Sequence, residues 1–384
     1  MRGSVYKRVS TWTWVLDVGV DPVTGKRRQR TKGGYRTKRD AELALREVHA
    51  QRAAGTFVEP SRVTLAAFVE QWLAHLVVIG RAPRTVERYR ELLRLHVLPE
   101  LGRVPVQALT TLEVQRLYAH LLTSGRKDGR PGGLSRTTVG HVHRALHRAL
   151  EQAVRWRLLS RNVVRDAELP PGERAAMVTL DREQAQRLRA AAEGSTLEVL
   201  VALGLATGAR RGELLALRWA DVDLDAGVVR IERSLQLVDG KLHVKLPKSE
   251  AGKRLVPLPR STVGELRRHR AAQTERRLMI GPRYDTAADL VIAKADGAPF
   301  RPDYVSAAFR ALVRRAGLPA AVHVHTLRHT VGSWLADAGV PPHDIAAILG
   351  HRDAGFTLRT YVHSLPDALR RAADTPDDAL GGRP

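Results

Sequence analysis

The stretch Leu169-Pro170-Pro171-Gly172-Glu173 reads as an interdomain linker, because the sequence pattern changes across it. Ahead of it, helical spacing dominates. Thr64 precedes an apolar-periodic run through Phe68, Trp72 and Leu76, and Arg84–Leu98 stands between Pro83 and Pro99. Thr110-Thr111-Leu112-Glu113 reads as a capping box for Val114, Leu117 and Leu121. Arg136–Leu158 carries Val139, Val142, Leu146, Leu150, Ala153 and Val154 at helical spacing, with arginines around the rest of the helix. A helical domain over residues 62–168 is the expectation. Beyond the linker, residues 175–364 mix elements. A helix follows Asp181, and an apolar helix Leu197–Ala206 ends at Thr207-Gly208. Short strands follow at Val228–Leu237, at Lys241–Leu246 beyond an Asp239-Gly240 turn, and at Arg254–Leu258; helices return from about Thr262. This predicts a mostly helical α+β domain with a small antiparallel sheet.

Residues 1–58 predict a small sheet-plus-helix unit, so the chain as a whole is multidomain and mainly α. Trp12, Trp14, Leu16, Val18 and Val20 alternate as in a strand, Asp21–Gly25 supplies a turn, and Lys26–Arg30 begins a basic return strand. A helix then runs from about Lys38, with Thr37 as its cap and Gly55 closing it. Such a basic sheet face suits either a DNA groove or a structural cap.

Lys and Arg number 63 against 40 Asp and Glu, a formal charge of +23 spread along the chain, which favours a polyanionic partner. With no Cys, disulfides and thiolate metal sites are excluded. No window approaches the roughly 18 apolar residues of a membrane span, so a soluble, cytoplasmic protein is expected. His143 and His147 have metal-ligand spacing, but no nearby carboxylate or Cys completes a tetrahedral set, and a polar helix face near phosphate is the expected role.

The chemistry concentrates between His325 and Tyr361: His325-Thr326-Leu327-Arg328, then Leu349-Gly350-His351, then Thr360-Tyr361. A phenol, two imidazoles and a guanidinium form a set suited to phosphate. The H-x-x-R pair alone is weak, since His49/Arg52 and His141/Arg144 match it too and composition alone supplies roughly two matches. Context separates it. Thr207-Gly208-Ala209-Arg210-Arg211-Gly212-Glu213-Leu214, then Pro247-Lys248, then the three segments above resemble the tyrosine recombinase family, specifically the phage-type integrases, in order, spacing and neighbours. The resemblance covers about 175–364. The upstream domains are similar to that family's arm-binding (1–58) and core-binding (62–168) domains.

The resemblance implies an enzyme that integrates or excises a mobile element by cutting and rejoining duplex DNA, as a homotetramer through a four-way junction. It implies no cofactor and no metal, and leaves room for accessory DNA-bending or directionality proteins. The candidate catalytic residues are Arg210, Lys248, His325, Arg328, His351 and Tyr361. Guanidiniums stabilise charge on the nonbridging phosphate oxygens. Lysine, unlike arginine, can release a proton, and Lys241, Lys245, Lys248 and Lys253 cluster in a chain with only 10 Lys. Lys248 is the candidate acid for the leaving 5′ oxygen, with Lys253 the alternative. The histidines donate to phosphate or shuttle protons, and Tyr361 attacks to form a 3′-phosphotyrosyl bond that conserves the phosphodiester energy. Glu213 is expected to orient Arg210. Tyr89 and Tyr118, in apolar-periodic helices, are assigned to core or edge. Residues 365–384 form a tail in which Asp367–Ala373 is the candidate subunit-docking helix. A noncatalytic DNA-binding protein on the same scaffold, and a monomeric relaxing enzyme with similar chemistry, are the rival readings.

Overall fold

The computed structural model describes residues 3–20, 25–53, 57–169, 177–246, 253–351 and 355. The chain divides into two compact units, Met1–Glu173 and Arg174–Pro384.

The first unit opens with an antiparallel sheet of Gly3–Arg8 (β1), Thr11–Val20 (β2) and Arg27–Tyr35 (β3), in that spatial order. Val20 pairs with Arg27 and Leu16 with Arg30, so the expected hairpin is present; β1, mostly exposed and without alternation, was not foreseen. The predicted Asp21–Gly25 turn lies outside the described residues up to Thr24. Strand alternation turns Trp14 and Leu16 onto Leu45 of Lys38–Ala53 (α1), a helix whose Asp40 N–H is capped by Thr37 Oγ1 at 3.1 Å. Gly55 lies outside the described residues.

The helices Leu65–Val78 (α2), Pro83–His96 (α3), Leu98–Leu101 (α4), Thr111–Ser124 (α5) and Arg136–Arg155 (α6) share a second core containing Phe68, Trp72, Leu93, Leu121, Leu146 and Leu150. Thr110 and Glu113 form the predicted capping box. The helix expected over Arg84–Leu98 breaks at Val97, because Pro99 sits in the first turn of α4, where its missing N–H costs nothing. Tyr118 is buried and meets His143 Nδ1 at 3.0 Å, while Tyr89 stacks on Trp72. Among the described residues no group of three or more His, Cys, Asp or Glu could hold a metal ion, and no helix is long and apolar enough to cross a membrane.

The second unit packs Arg182–Ala192 (α7), Glu198–Thr207 (α8) and Arg211–Leu215 (α9) against two small sheets and four later helices. Val222–Asp223 (β4), Val228–Ile231 (β5) and Arg254–Pro257 (β8) form one sheet in the order β4-β5-β8; Ser234–Val238 (β6) and Lys241–Lys245 (β7) form the other. The single strand expected over Val228–Leu237 is therefore two strands in different sheets. The chain turns at Glu232-Arg233, where Arg233 Nη1 is held by the buried Asp221 carboxylate at 2.7 Å.

Arg260–Ile280 (α10), Pro302–Arg315 (α11), Val324–Asp337 (α12) and Pro342–Leu349 (α13) complete the unit. Helix was expected from about Thr262 onward, but residues 284–301 are largely irregular, with bridges Arg218↔Leu290 and Ala293↔Pro299. Helix α8 is buried along most of its length, and α12 packs beside it through Leu327.

Candidate active site

Helix α8 ends at Gly208, in the left-handed conformation at φ +60°. A Cβ there would lie 2.5 Å from Leu349 Cδ2 of α13, so glycine is required both by conformation and by the close approach of the two helix ends. Helix α13 ends the same way, at Gly350 with φ +68°. These two glycines expose helix C-terminal carbonyls, which carry partial negative charge and lack intrahelical partners.

Each carbonyl receives a guanidinium. Arg328 of α12 is 1% exposed and its Nη1 donates to Gly208 O at 3.0 Å. Arg210, immediately before α9, donates from Nη2 to Gly350 O at 3.2 Å. Arg210 is further fixed by Glu213: its Nη1 donates to Oε1 at 2.8 Å and its backbone N–H to Oε2 at 2.9 Å. The orienting role expected of Glu213 has a geometric basis in these contacts. The same carboxylate is bound by Arg254 of β8, from Nη2 to Oε2 at 2.7 Å. Burial pushes the Glu213 carboxyl up, but the hydrogen bonds and charges of Arg254 and Arg210 outweigh it and hold the pKa below the usual carboxylate range.

His325 lies one turn before Arg328 on α12, half-buried, with the His329 ring edge-on at 4.8 Å and the His323 ring at 6.4 Å. His323 forms the capping box of α12 with Thr326. His351 follows Gly350 directly, its backbone N–H bonded to Ala346 O at 2.8 Å. Both candidate imidazoles are pushed down to about 4. For His325 the causes are burial, then the charges of His329, Arg328, His323 and Arg210. For His351 they are burial, then Arg328, Arg210, Arg254 and His325. Arg210 on Gly350 O beside His351, Arg328 on Gly208 O one turn from His325, and the close approach of Gly208 to Leu349 bring Arg210, His325, Arg328 and His351 around one locus. At neutral pH the histidines there are uncharged, each with one N–H donor and one acceptor nitrogen.

Among the described residues here, Arg210 and Arg254 share the Glu213 carboxylate while Arg328 adds a third guanidinium on Gly208 O, so positive charge predominates. Such a site favours an anion that can accept several N–H groups at once. Lys248 and Tyr361 lie outside the described residues, as do the tail 365–384 and its Asp367–Ala373 segment. The alternative lysine, Lys253, is exposed at the start of the β8 segment.

Three residues at or beside the locus were not singled out in the sequence. His323 and His329 flank His325 and lower its pKa. Arg254 carried one overlooked signal: strand alternation puts it on the face of Val256 and Leu258, which is the buried face.

Comparison with known proteins sets this geometry in a family. A family model described as the phage integrase family matches residues 178–367. An arm DNA-binding domain model matches 4–51, and a phage integrase N-terminal SAM-like domain model matches 64–122. A tyrosine recombinase XerC-like protein of Caldanaerobacter subterraneus subsp. tengcongensis is 27% identical over 361 residues, covering 89% of this chain and 90% of that protein. An integrase of Streptomyces ambofaciens is 30% identical over 380 residues, covering 95% and 92%. Among solved structures, the Tn1549 transposon integrase in complex with transposon right end DNA superposes with a TM-score of 0.68 at 21% identity, covering 81% of this chain and 99% of that one. The fold expected from sequence is thus the fold of a solved integrase, and likeness to the Streptomyces protein runs through nearly the whole of both chains. The chain belongs to the phage integrase family and is a tyrosine-type site-specific recombinase, an enzyme that breaks and rejoins DNA strands.

Proposed function

We propose that this recombinase integrates or excises a mobile genetic element through a covalent 3′-phosphotyrosyl intermediate. The observation that carries the reading is the convergence of Arg210, Arg328, His325 and His351 on one locus, with the two guanidiniums preset on helix-end carbonyls. A scissile phosphate seated there meets fixed donors where negative charge accumulates as the phosphorane-like state forms, so little reorganisation is needed at the moment of reaction. Tyr361 is the nucleophile, its oxygen forming a bond to phosphorus as the bond to the 5′ oxygen breaks. Lys248, with Lys253 as the alternative, gives a proton to that leaving oxygen. His325 and His351, uncharged before DNA arrives, donate N–H groups to the phosphate or relay a proton. Rejoining reverses the step with a new 5′-hydroxyl as nucleophile, and no external energy source enters.

Residues 1–58 are assigned to arm-type DNA sites, 62–168 to the core site, 175–364 to catalysis and 365–384 to subunit docking. The partners are duplex DNA, three further copies of the chain in a tetramer, and accessory DNA-bending or directionality proteins. The Tn1549 integrase, whose structure holds transposon-end DNA, supports a duplex in this role.

The test uses a nicked duplex carrying the core site, with divalent metal chelated. Wild-type protein forms a covalent protein–DNA band on a denaturing gel and Tyr361→Phe forms none. Tight binding with no band from wild type would favour a noncatalytic DNA-binding protein instead.

A further inference from the structure

We propose that Arg254 is a positioning residue for strand cleavage, acting through Glu213 and the end of α13 to hold Arg210 and His351 in register with the phosphate. The inference rests on the reading of Arg210 as a phosphate donor. Arg254 opens β8 on the strand's buried face, its side chain is only 5% exposed, and two arms of its guanidinium are committed inside the fold. Its Nε donates to Ile348 O at 2.8 Å and its Nη2 to Glu213 Oε2 at 2.7 Å. Glu213 in turn holds Arg210, and Arg210 reaches back to Gly350 O.

These contacts close a ring through three separate segments: the start of α9, the start of β8 and the end of α13. The ring needs a planar fork, because one rigid group must serve a carboxylate and a carbonyl in different directions; an ammonium could serve only one well. Gly350 packs flat against the same guanidinium. A Cβ at that position would lie 2.7 Å from Nη1 and 3.1 Å from Cζ of Arg254. Arg254 therefore sets the backbone directly preceding His351 and, through Glu213, the aim of Arg210. A misplacement of about 1 Å in groups of this kind costs up to about 100-fold in rate.

A matched comparison exists within the same unit. Arg233 makes a part-buried ion pair with Asp221 at 2.7 Å, in a different set of contacts, so its loss perturbs folding without entering the ring.

The experiment measures single-turnover adduct formation and duplex affinity for full-length wild type, Arg254→Met, Arg254→Lys, Arg233→Met and Arg210→Ala. Each is tested on a nicked core-site duplex and on the same duplex with a methylphosphonate at the scissile position, whose linkage is uncharged. Arg254→Met is expected to slow the ordinary substrate by about 10- to 100-fold with affinity within about threefold, and Arg254→Lys to fall between it and wild type. As for Arg210→Ala, the penalty is expected to shrink on the methylphosphonate, where less charge needs a well-aimed guanidinium; Arg233→Met keeps a near wild-type rate. Should Arg254→Met fail to fold, Arg254→Lys decides by the same comparison. A wild-type rate in the Arg254 variants, or a penalty equal on both substrates, overturns the positioning role. If Arg210→Ala also cleaves at the wild-type rate, the phosphate-donor reading falls with it; if only the Arg254 variants do, that reading stands.

Discussion

Replacing Arg210 with alanine separates chemistry from folding more cleanly than any other change at the site. The Arg210 side chain is 42% exposed, so its ion pair with Glu213 is screened by water and contributes at most about 1 kcal/mol to stability. Its removal does not strand a buried charge, because Glu213 keeps Arg254 at 2.7 Å. The expected loss of stability is therefore below about 1 kcal/mol. The loss in the transition state is larger: removing one preorganised donor from a developing oxyanion costs about 2.7–4 kcal/mol, or about 100- to 1,000-fold in rate. The assay follows single-turnover adduct formation at saturating protein, with duplex affinity and urea unfolding measured on the same preparations. The account predicts near wild-type unfolding, affinity changed by no more than a few-fold, and the rate loss just given. A rate within threefold of wild type would remove Arg210 from the phosphate site. A rate loss matched by an equal loss of affinity would make it a ground-state binder instead.

Three further outcomes follow from the same structure. His325 and His351, held near 4 in the fold against about 6.5 unfolded, let the unfolded chain bind more protons between those values. Stability should therefore fall as pH drops from 6.5 to 4, with no effect from these groups above that window; His325→Gln should flatten the urea-derived profile. Gly208→Ala forces a Cβ into left-handed backbone and against Leu349, for a combined cost of about 2–4 kcal/mol by urea unfolding, and an unchanged midpoint would contradict the packing described. Deleting residues 1–58 should spare binding to a core-site duplex and abolish binding to a separate arm-site duplex in gel-shift titrations; survival of both would make that unit a cap and not a reader.

The elements read correctly from sequence are those whose own periodicity decides them. Helix α6 buries Val139, Val142, Leu146 and Leu150 as their spacing required, and the Thr110–Glu113 capping box is purely local. The failures came where a distant partner decides. The chain passes from β5 to β6 where Arg233 reaches Asp221, and residues 217–219 pair with the irregular stretch around Leu290 that had been expected to be helical. At the site, residue types and order were legible, because arginine, histidine, lysine and tyrosine carry their chemistry wherever they stand. Their convergence was not: Arg210 and Gly350 meet across 140 residues of chain, and helix-end carbonyls as docking points exist only once α8 and α13 are packed. Arg254 stayed hidden in a chain with many arginines, since only burial distinguishes it from its exposed neighbours.

The most direct test of the central claim is to identify the protein–DNA bond itself. Wild-type adduct on a nicked core-site duplex would be digested with protease and nuclease, and the nucleotide-bearing peptide sequenced by mass spectrometry. The account predicts one modified residue, Tyr361, joined to a 3′-phosphate and leaving a free 5′-hydroxyl on the released strand. A nucleotide on any other residue, or a 5′-phosphate linkage, would contradict it.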